Sequence, residues 1–165
     1  MKRFFEVLFV VGIAVGFLCL AAGEALAKNP ERPYKGRGQE MVVGSCELGG
    51  VVGELEEGTL IATHTGLSQT SACVIVIGGE FPVYQFLGRG AGTAANGDVL
   101  YFSVGGTTDV SEDPCVSEFT LTFVGGTGRF AGASGQVQGI STRPWSADFT
   151  CGPEQSTTVS GTIVY

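Results

Sequence analysis

A glycine-rich stretch over residues 124–139 constrains the fold of this chain more than any other feature. Glycine inside a strand weakens it, so its presence there marks a bulge, a sharp corner or a close approach of two backbones. Small closed β-barrels need such corners. The stretch contains no nucleophile, metal-ligand cluster or phosphate cradle, and it therefore indicates a fold rather than an activity. Its six glycines are Gly125, Gly126, Gly128, Gly132, Gly135 and Gly139.

The sequence beyond the first 27 residues has short β-like runs and no apolar spacing typical of a helix. Phe119, Leu121 and Phe123 alternate with polar residues, which places them on one face of a strand. Gly78-Gly79 and Asn96-Gly97 are typical of hairpin turns. An all-β fold is expected, either an eight-stranded antiparallel barrel or a sandwich, and the glycine corners favour the barrel. The predicted strands are 40–45, 59–65, 72–77, 81–87, 99–104, 117–124, 135–141 and 156–164.

The N-terminus has the features of an export signal. A charged start, Met1-Lys2-Arg3, precedes an apolar run and the small residues of Ala25-Leu26-Ala27. We expect cleavage after Ala27 and a secreted or periplasmic protein with no stable membrane anchor; the alternative is a retained anchor, for which the run is long enough. The predicted organisation is a signal peptide over 1–27, a basic Pro/Gly-rich linker over 28–38, and a single barrel domain over 39–165.

Four cysteines remain after cleavage, at spacings that do not suit zinc. An even number in an exported chain predicts two disulfides. In an up-and-down barrel the loops that hold Cys115 and Cys151 lie at the same end, so we expect the pair Cys115–Cys151 and, by remainder, Cys46–Cys73. No metal and no cofactor is expected.

Charge is distributed unevenly along the chain. Beyond residue 37 there are three basic side chains and thirteen acidic ones. Proteins that bind nucleic acid neutralise phosphates with clustered Lys and Arg, so this balance argues against a nucleic-acid partner.

Two segments, 87–102 and 123–135, together with the closing Gly161-Thr-Ile-Val-Tyr165, resemble the allene oxide cyclase-like barrel group, which includes the dirigent proteins and many bacterial secreted proteins of unknown role. The resemblance covers roughly residues 58–165. It implies an eight-stranded barrel, often trimeric in plants, that cyclises a fatty-acid epoxide or guides phenoxy-radical coupling. No catalytic residue carries over, because Ala133-Ser134-Gly135 stands where dirigent proteins typically have Ala-Arg-Gly.

Two residues are candidates for the ligand cavity. His64 is predicted in a strand, where it would either face the cavity as an acid or base or make a structural hydrogen bond. Trp145 is predicted on a loop, where it would contact a ligand at the barrel mouth or plug that end.

Three classes of function fit the sequence. The favoured one is a non-catalytic exported barrel that binds a small apolar ligand or serves as a surface module. The second is an isomerase or dirigent-like protein that guides coupling of a small hydrophobic substrate. The third is an interaction module, as a homo-oligomer, that uses an apolar strip on the barrel wall.

Overall fold

Eight antiparallel strands pair in the order in which they occur along the chain, and β1 closes the ring by pairing with β8. The computed structural model describes residues 29–148 and 150–165, so the predicted signal peptide lies outside the described residues. The closed barrel confirms the predicted fold class and excludes the sandwich. The strands are β1 (Arg32–Leu48), β2 (Val51–Ala62), β3 (Gly66–Glu80), β4 (Val83–Ala94), β5 (Val99–Asp109), β6 (Cys115–Gly126), β7 (Gly135–Arg143) and β8 (Glu154–Ile163).

Strand β1 begins earlier than the sequence predicts. Residues 32–38, for which the composition predicts a linker, belong to β1 instead; all of them pair with β8, and 36–38 pair with β2 as well. Proline lacks a backbone N–H and glycine weakens strands, so this composition does not predict a strand. The long-range pairing of Arg32 with Ile163 and of Tyr34 with Gly161 supplies the partners that a linker would not have.

The predicted turn at Gly78-Gly79 is wrong. Both glycines lie inside β3, where the register with β4 shifts between Val76 and Gly78. Gly79 has a φ of +96°, so its flexibility serves an irregularity in the strand rather than a turn. The chain reverses instead at Phe81-Pro82.

The glycine-rich stretch builds a bulge and a plug. Tyr101 pairs with Gly125 while Phe102 pairs with Phe123, which leaves one extra residue on β6. A single 3-10 turn over Gly128–Phe130 follows, and the Phe130 side chain is fully buried. The glycines therefore do form the corner that the sequence predicts.

One end of the barrel is filled by a hydrophobic core, and we call it the closed end. It carries the β2–β3, β4–β5 and β6–β7 connections. The other four connections surround the opposite end, which we call the mouth. The core cluster at the closed end consists of Tyr34, Ala62, Ala94, Leu100, Phe123, Phe130, Ala133, Val137, Val159 and Ile163.

Two disulfides join the strands, Cys46–Cys73 and Cys115–Cys151, in the expected pairing. The first links β1 to β3, and the second ties the start of β6 to the β7–β8 loop at the mouth. Among residues 29–148 and 150–165, no helix is long and apolar enough to cross a membrane.

Candidate ligand cavity

The barrel interior is hollow between the core and the mouth, with a cavity of about 550 Å³. Because side chains alternate along each strand, one residue in two points inward. Several inward residues are small, and this leaves the space. The small residues that line the cavity include Ser68, Thr70, Ala72, Gly92, Ser117, Ser141 and Thr157.

The cavity has two chemically different walls. Strands β3 to β6 provide a mostly apolar wall, and strands β1, β2, β7 and β8 provide a polar one with all four of the charged residues that line the cavity in the described part of the chain. The apolar wall contains Val74, Val76, Tyr84, Phe86, Phe102, Val104, Phe119 and Leu121. The charged residues are Glu40, Glu54, Glu56 and Arg143.

Arg143 is the centre of the polar wall. Its guanidinium donates from Nη1 to Glu54 Oε2 at 2.9 Å, from Nη2 to Glu56 Oε1, and from Nε to Gln155 Oε1 at 3.0 Å. Arg143 and Glu56 are largely buried, whereas the Glu54 side chain is 55% exposed. The buried ion pair therefore joins β7 to β2 across the cavity wall.

Gln155 connects this ion pair to a second carboxylate. Its Nε2 donates to Glu56 Oε2 at 3.1 Å and to Glu40 Oε2 at 3.0 Å. Thr157 donates to Glu40 Oε2 and Thr70 donates to Glu40 Oε1, both at 3.1 Å. Glu40 thus accepts three hydrogen bonds from neutral donors, and these fix its orientation without cancelling its charge.

Burial raises the pKa of the Glu56 carboxyl above its ordinary value. Arg143 and the hydrogen bond from Gln155 lower that pKa, while the negative charges of Glu40 and Glu54 raise it further. A carboxyl group at which burial and like charges outweigh a cation is able to exchange a proton closer to neutrality than a solvated glutamate.

None of these network residues was identified by sequence reasoning. Glu40, Glu56, Arg143 and Gln155 come from four different strands, and no local motif connects them. A signal does exist in the alternation of β2, where Glu56 lies on the same face of the strand as Leu60 and Ala62. A charged residue in register with core residues of a strand is a candidate for an interior polar site.

The sequence predicts His64 in a strand, and this prediction is wrong, because His64 lies in the β2–β3 turn at the closed end. Its φ is +72°, a conformation that histidine tolerates better than β-branched residues do. Nε2 is 3.0 Å from the carbonyl oxygen of Pro33, and the ring lies edge-on to Tyr165. In the described part of the chain, the cavity lining does not include His64.

Trp145 lies in the β7–β8 loop near the mouth. Its backbone N–H donates to Asp113 Oδ1 at 2.9 Å, and its backbone forms a β-bridge with Cys151. Cys151 lines the cavity, whereas Trp145 is half-buried beside it, outside the described lining. The structure therefore places the two candidates, His64 and Trp145, at opposite ends of the barrel.

Comparisons with known proteins identify a similar solved structure. No family model matches the chain, and no curated protein matches it. The structure of the pterocarpan synthase dirigent protein GePTS1 is similar, with 19% sequence identity over 84% of this chain and 87% of that one, and a TM-score of 0.44. The barrel topology of the present chain is established by its own strand pairing.

Proposed function

We propose that this protein binds a small, largely apolar ligand inside its barrel, outside the cytoplasm. The observation that carries the proposal is the cavity of about 550 Å³, with one apolar wall and a few convergent polar groups on the other. Small-molecule sites have this size and this mixture of apolar surface with oriented polar groups. The two disulfides support an extracytoplasmic location, since disulfides persist in oxidising compartments.

Native mass spectrometry of the protein, purified from its export compartment without reductant, tests the proposal directly. A bound ligand gives a mass shift that disappears on denaturation. A variant that fills the cavity should abolish the shift. Gly92 is suited to this purpose because it lines the cavity, and a Cβ there would lie 3.8 Å from Ser68 Oγ, an ordinary contact.

The matched pair of variants is Gly92→Phe and Gly44→Phe. Gly44 is exposed on β1, and a Cβ there meets no atom within 4 Å, so its phenylalanine adds the same mass and apolar surface outside the cavity. The proposal expects the ligand to be lost only from Gly92→Phe. Equal retention of the ligand by both variants would locate it elsewhere on the protein and refute the proposal.

The second candidate function is catalysis of the isomerase type. It is favoured by Glu56, a buried carboxyl of raised pKa that faces an apolar cavity and contacts Arg143. Such groups serve as acids and bases. Conversion of the co-purified ligand by the wild-type protein, with loss of turnover but not of binding in Glu56→Gln, would favour this function over simple binding.

An assembly of several copies stays a prediction. Ile61 and Leu67 are more than half exposed and pair across β2 and β3, which gives the outer wall an apolar spot. Sedimentation velocity would measure the oligomeric state.

A further inference from the structure

We propose that the cavity selects ligands with a cationic head group, such as a protonated amine on an apolar ring or chain, over neutral and anionic ligands of the same shape. This inference rests on the proposed function and specifies the class of ligand that the same site takes. It comes from the arrangement of charge on the polar wall.

Among the described residues that line the cavity, carboxylates outnumber cations. Glu40, Glu54 and Glu56 face a single cation, Arg143. If Glu56 holds a proton, two carboxylates still face one guanidinium. The cavity is therefore negative in either protonation state, and its apolar walls weaken the screening by water.

The single cation is already engaged. Arg143 directs Nη1, Nη2 and Nε to Glu54, Glu56 and Gln155, so each guanidinium nitrogen has an acceptor on the protein. Recognition of an anionic ligand by arginine uses the paired N–H groups of the guanidinium. Here three of the five N–H groups are bonded and two carboxylates already balance the charge of Arg143, so a ligand carboxylate would add a further negative charge beside Glu40.

Glu40 is the group that is left to receive a cation. Its hydrogen-bond donors, Gln155, Thr70 and Thr157, are neutral, and no salt bridge to Glu40 exists among the described residues. An ammonium group beside it would find a carboxylate whose position is fixed in advance. The ring or chain of the ligand would then lie against Phe86 and Phe102 on the apolar wall.

Three naphthalene probes that differ only in their head group test the inference: 1-naphthylmethylamine, 1-naphthalenemethanol and 1-naphthoate. Binding is measured at pH 7 by calorimetry on the full, disulfide-bonded protein. We expect the amine to bind about tenfold more tightly than the alcohol, the size of one partly screened charge interaction, and the carboxylate to bind more weakly than both.

The matched variants are Glu40→Gln and Glu57→Gln. Glu40→Gln should lower the affinity for the amine about tenfold and leave that for the alcohol unchanged. Glu57 is exposed and adjacent in sequence to Glu56, on the opposite face of β2, so Glu57→Gln should change neither affinity. If Glu40→Gln fails to fold, the salt dependence of the wild type replaces it: added salt should weaken binding of the amine and not of the alcohol.

The outcomes separate the two proposals. Equal binding of amine and alcohol by the wild type, with no effect of salt, would overturn the cation preference while ligand binding in the barrel stands. Stronger binding of 1-naphthoate would overturn it as well. Failure of all three probes to bind, together with no ligand mass in the purified protein, would overturn both proposals.

Discussion

Removal of the Arg143 guanidinium is the sharpest test of how the polar wall is held together. Arg143→Met keeps much of the apolar length of the side chain and removes its charge and its donors. The variant leaves the Glu56 carboxylate buried without its cation, and it removes the donor to Gln155 Oε1. Breaking a buried ion pair by removing one partner is strongly destabilising because the other charge remains buried.

The expected loss follows from the exposure of each contact. The pair with Glu56 is largely buried and falls in the range of about 3–5 kcal/mol for a broken buried pair. The pair with Glu54 adds less than about 1 kcal/mol, because Glu54 is 55% exposed. Glu56 limits the total by taking up a proton, which costs about 1.4 kcal/mol for each unit by which the pH exceeds the ordinary glutamate pKa of 4.5. We therefore expect a loss of about 3 kcal/mol at pH 7 and of about 1 kcal/mol at pH 5.

Urea unfolding at both pH values, without reductant, measures this loss. Arg89→Met is the matched control, because Arg89 is exposed on β4 and makes no ion pair among the described residues; it should change the free energy of unfolding by less than about 0.5 kcal/mol. Adding Glu56→Gln to Arg143→Met should restore most of the lost stability at pH 7, since the buried charge is then gone. A loss below about 1 kcal/mol at pH 7, or an equal loss at both pH values, would refute the reasoning.

Three further predictions concern stability. Gly139→Ala should destabilise the fold by roughly 1–3 kcal/mol in urea unfolding, because its Cβ would lie 2.2 Å from the Phe119 ring. Gly92→Ala has room for its Cβ and should not destabilise the fold. Equal effects of the two substitutions would contradict this packing. The raised pKa of Glu56 means that the folded state binds the proton more tightly than the unfolded state does. The stability of the wild type relative to Glu56→Gln should therefore fall as the pH rises from 4 to 7. A difference in stability that stays constant over this range would contradict the raised pKa. Reduction of both disulfides should lower the free energy of unfolding by roughly 3 kcal/mol for each bridge, measured with and without reductant; no change would show that the barrel does not depend on them.

The barrel could be predicted from local sequence because its signals are local. Alternation of Phe119, Leu121 and Phe123 marks one inward face, and all three line the cavity. The glycines after Phe123 mark a corner, and the bulge at Gly125 lies there. By contrast, the beginning of β1 depends on pairing with β8 at the far end of the chain, which local composition does not reveal.

The polar wall was missed for a related reason. Its members meet only when the ring closes, since Glu40 on β1 and Gln155 on β8 are neighbours through the closing pair of strands. Alternation along β2 shows that the Glu56 side chain points inward only once the register of the strand is known. His64 shows the converse error, because a strand assigned three residues too far placed a turn residue on a strand face.

The location of the charged network favours a role in the cavity over a role in stability. An eight-stranded barrel is just narrow enough to be filled by its own side chains, and the closed end of this one is filled in that way by Phe130 and its neighbours. Towards the mouth, small residues keep the interior open, and the buried ion pair lies on the wall of that space. Apolar side chains of similar volume would stabilise the wall as well as the ion pair does, or better. A fixed charge pattern on one side of a hollow, with an apolar surface on the other, therefore has its clearest physical use in orienting a molecule that enters.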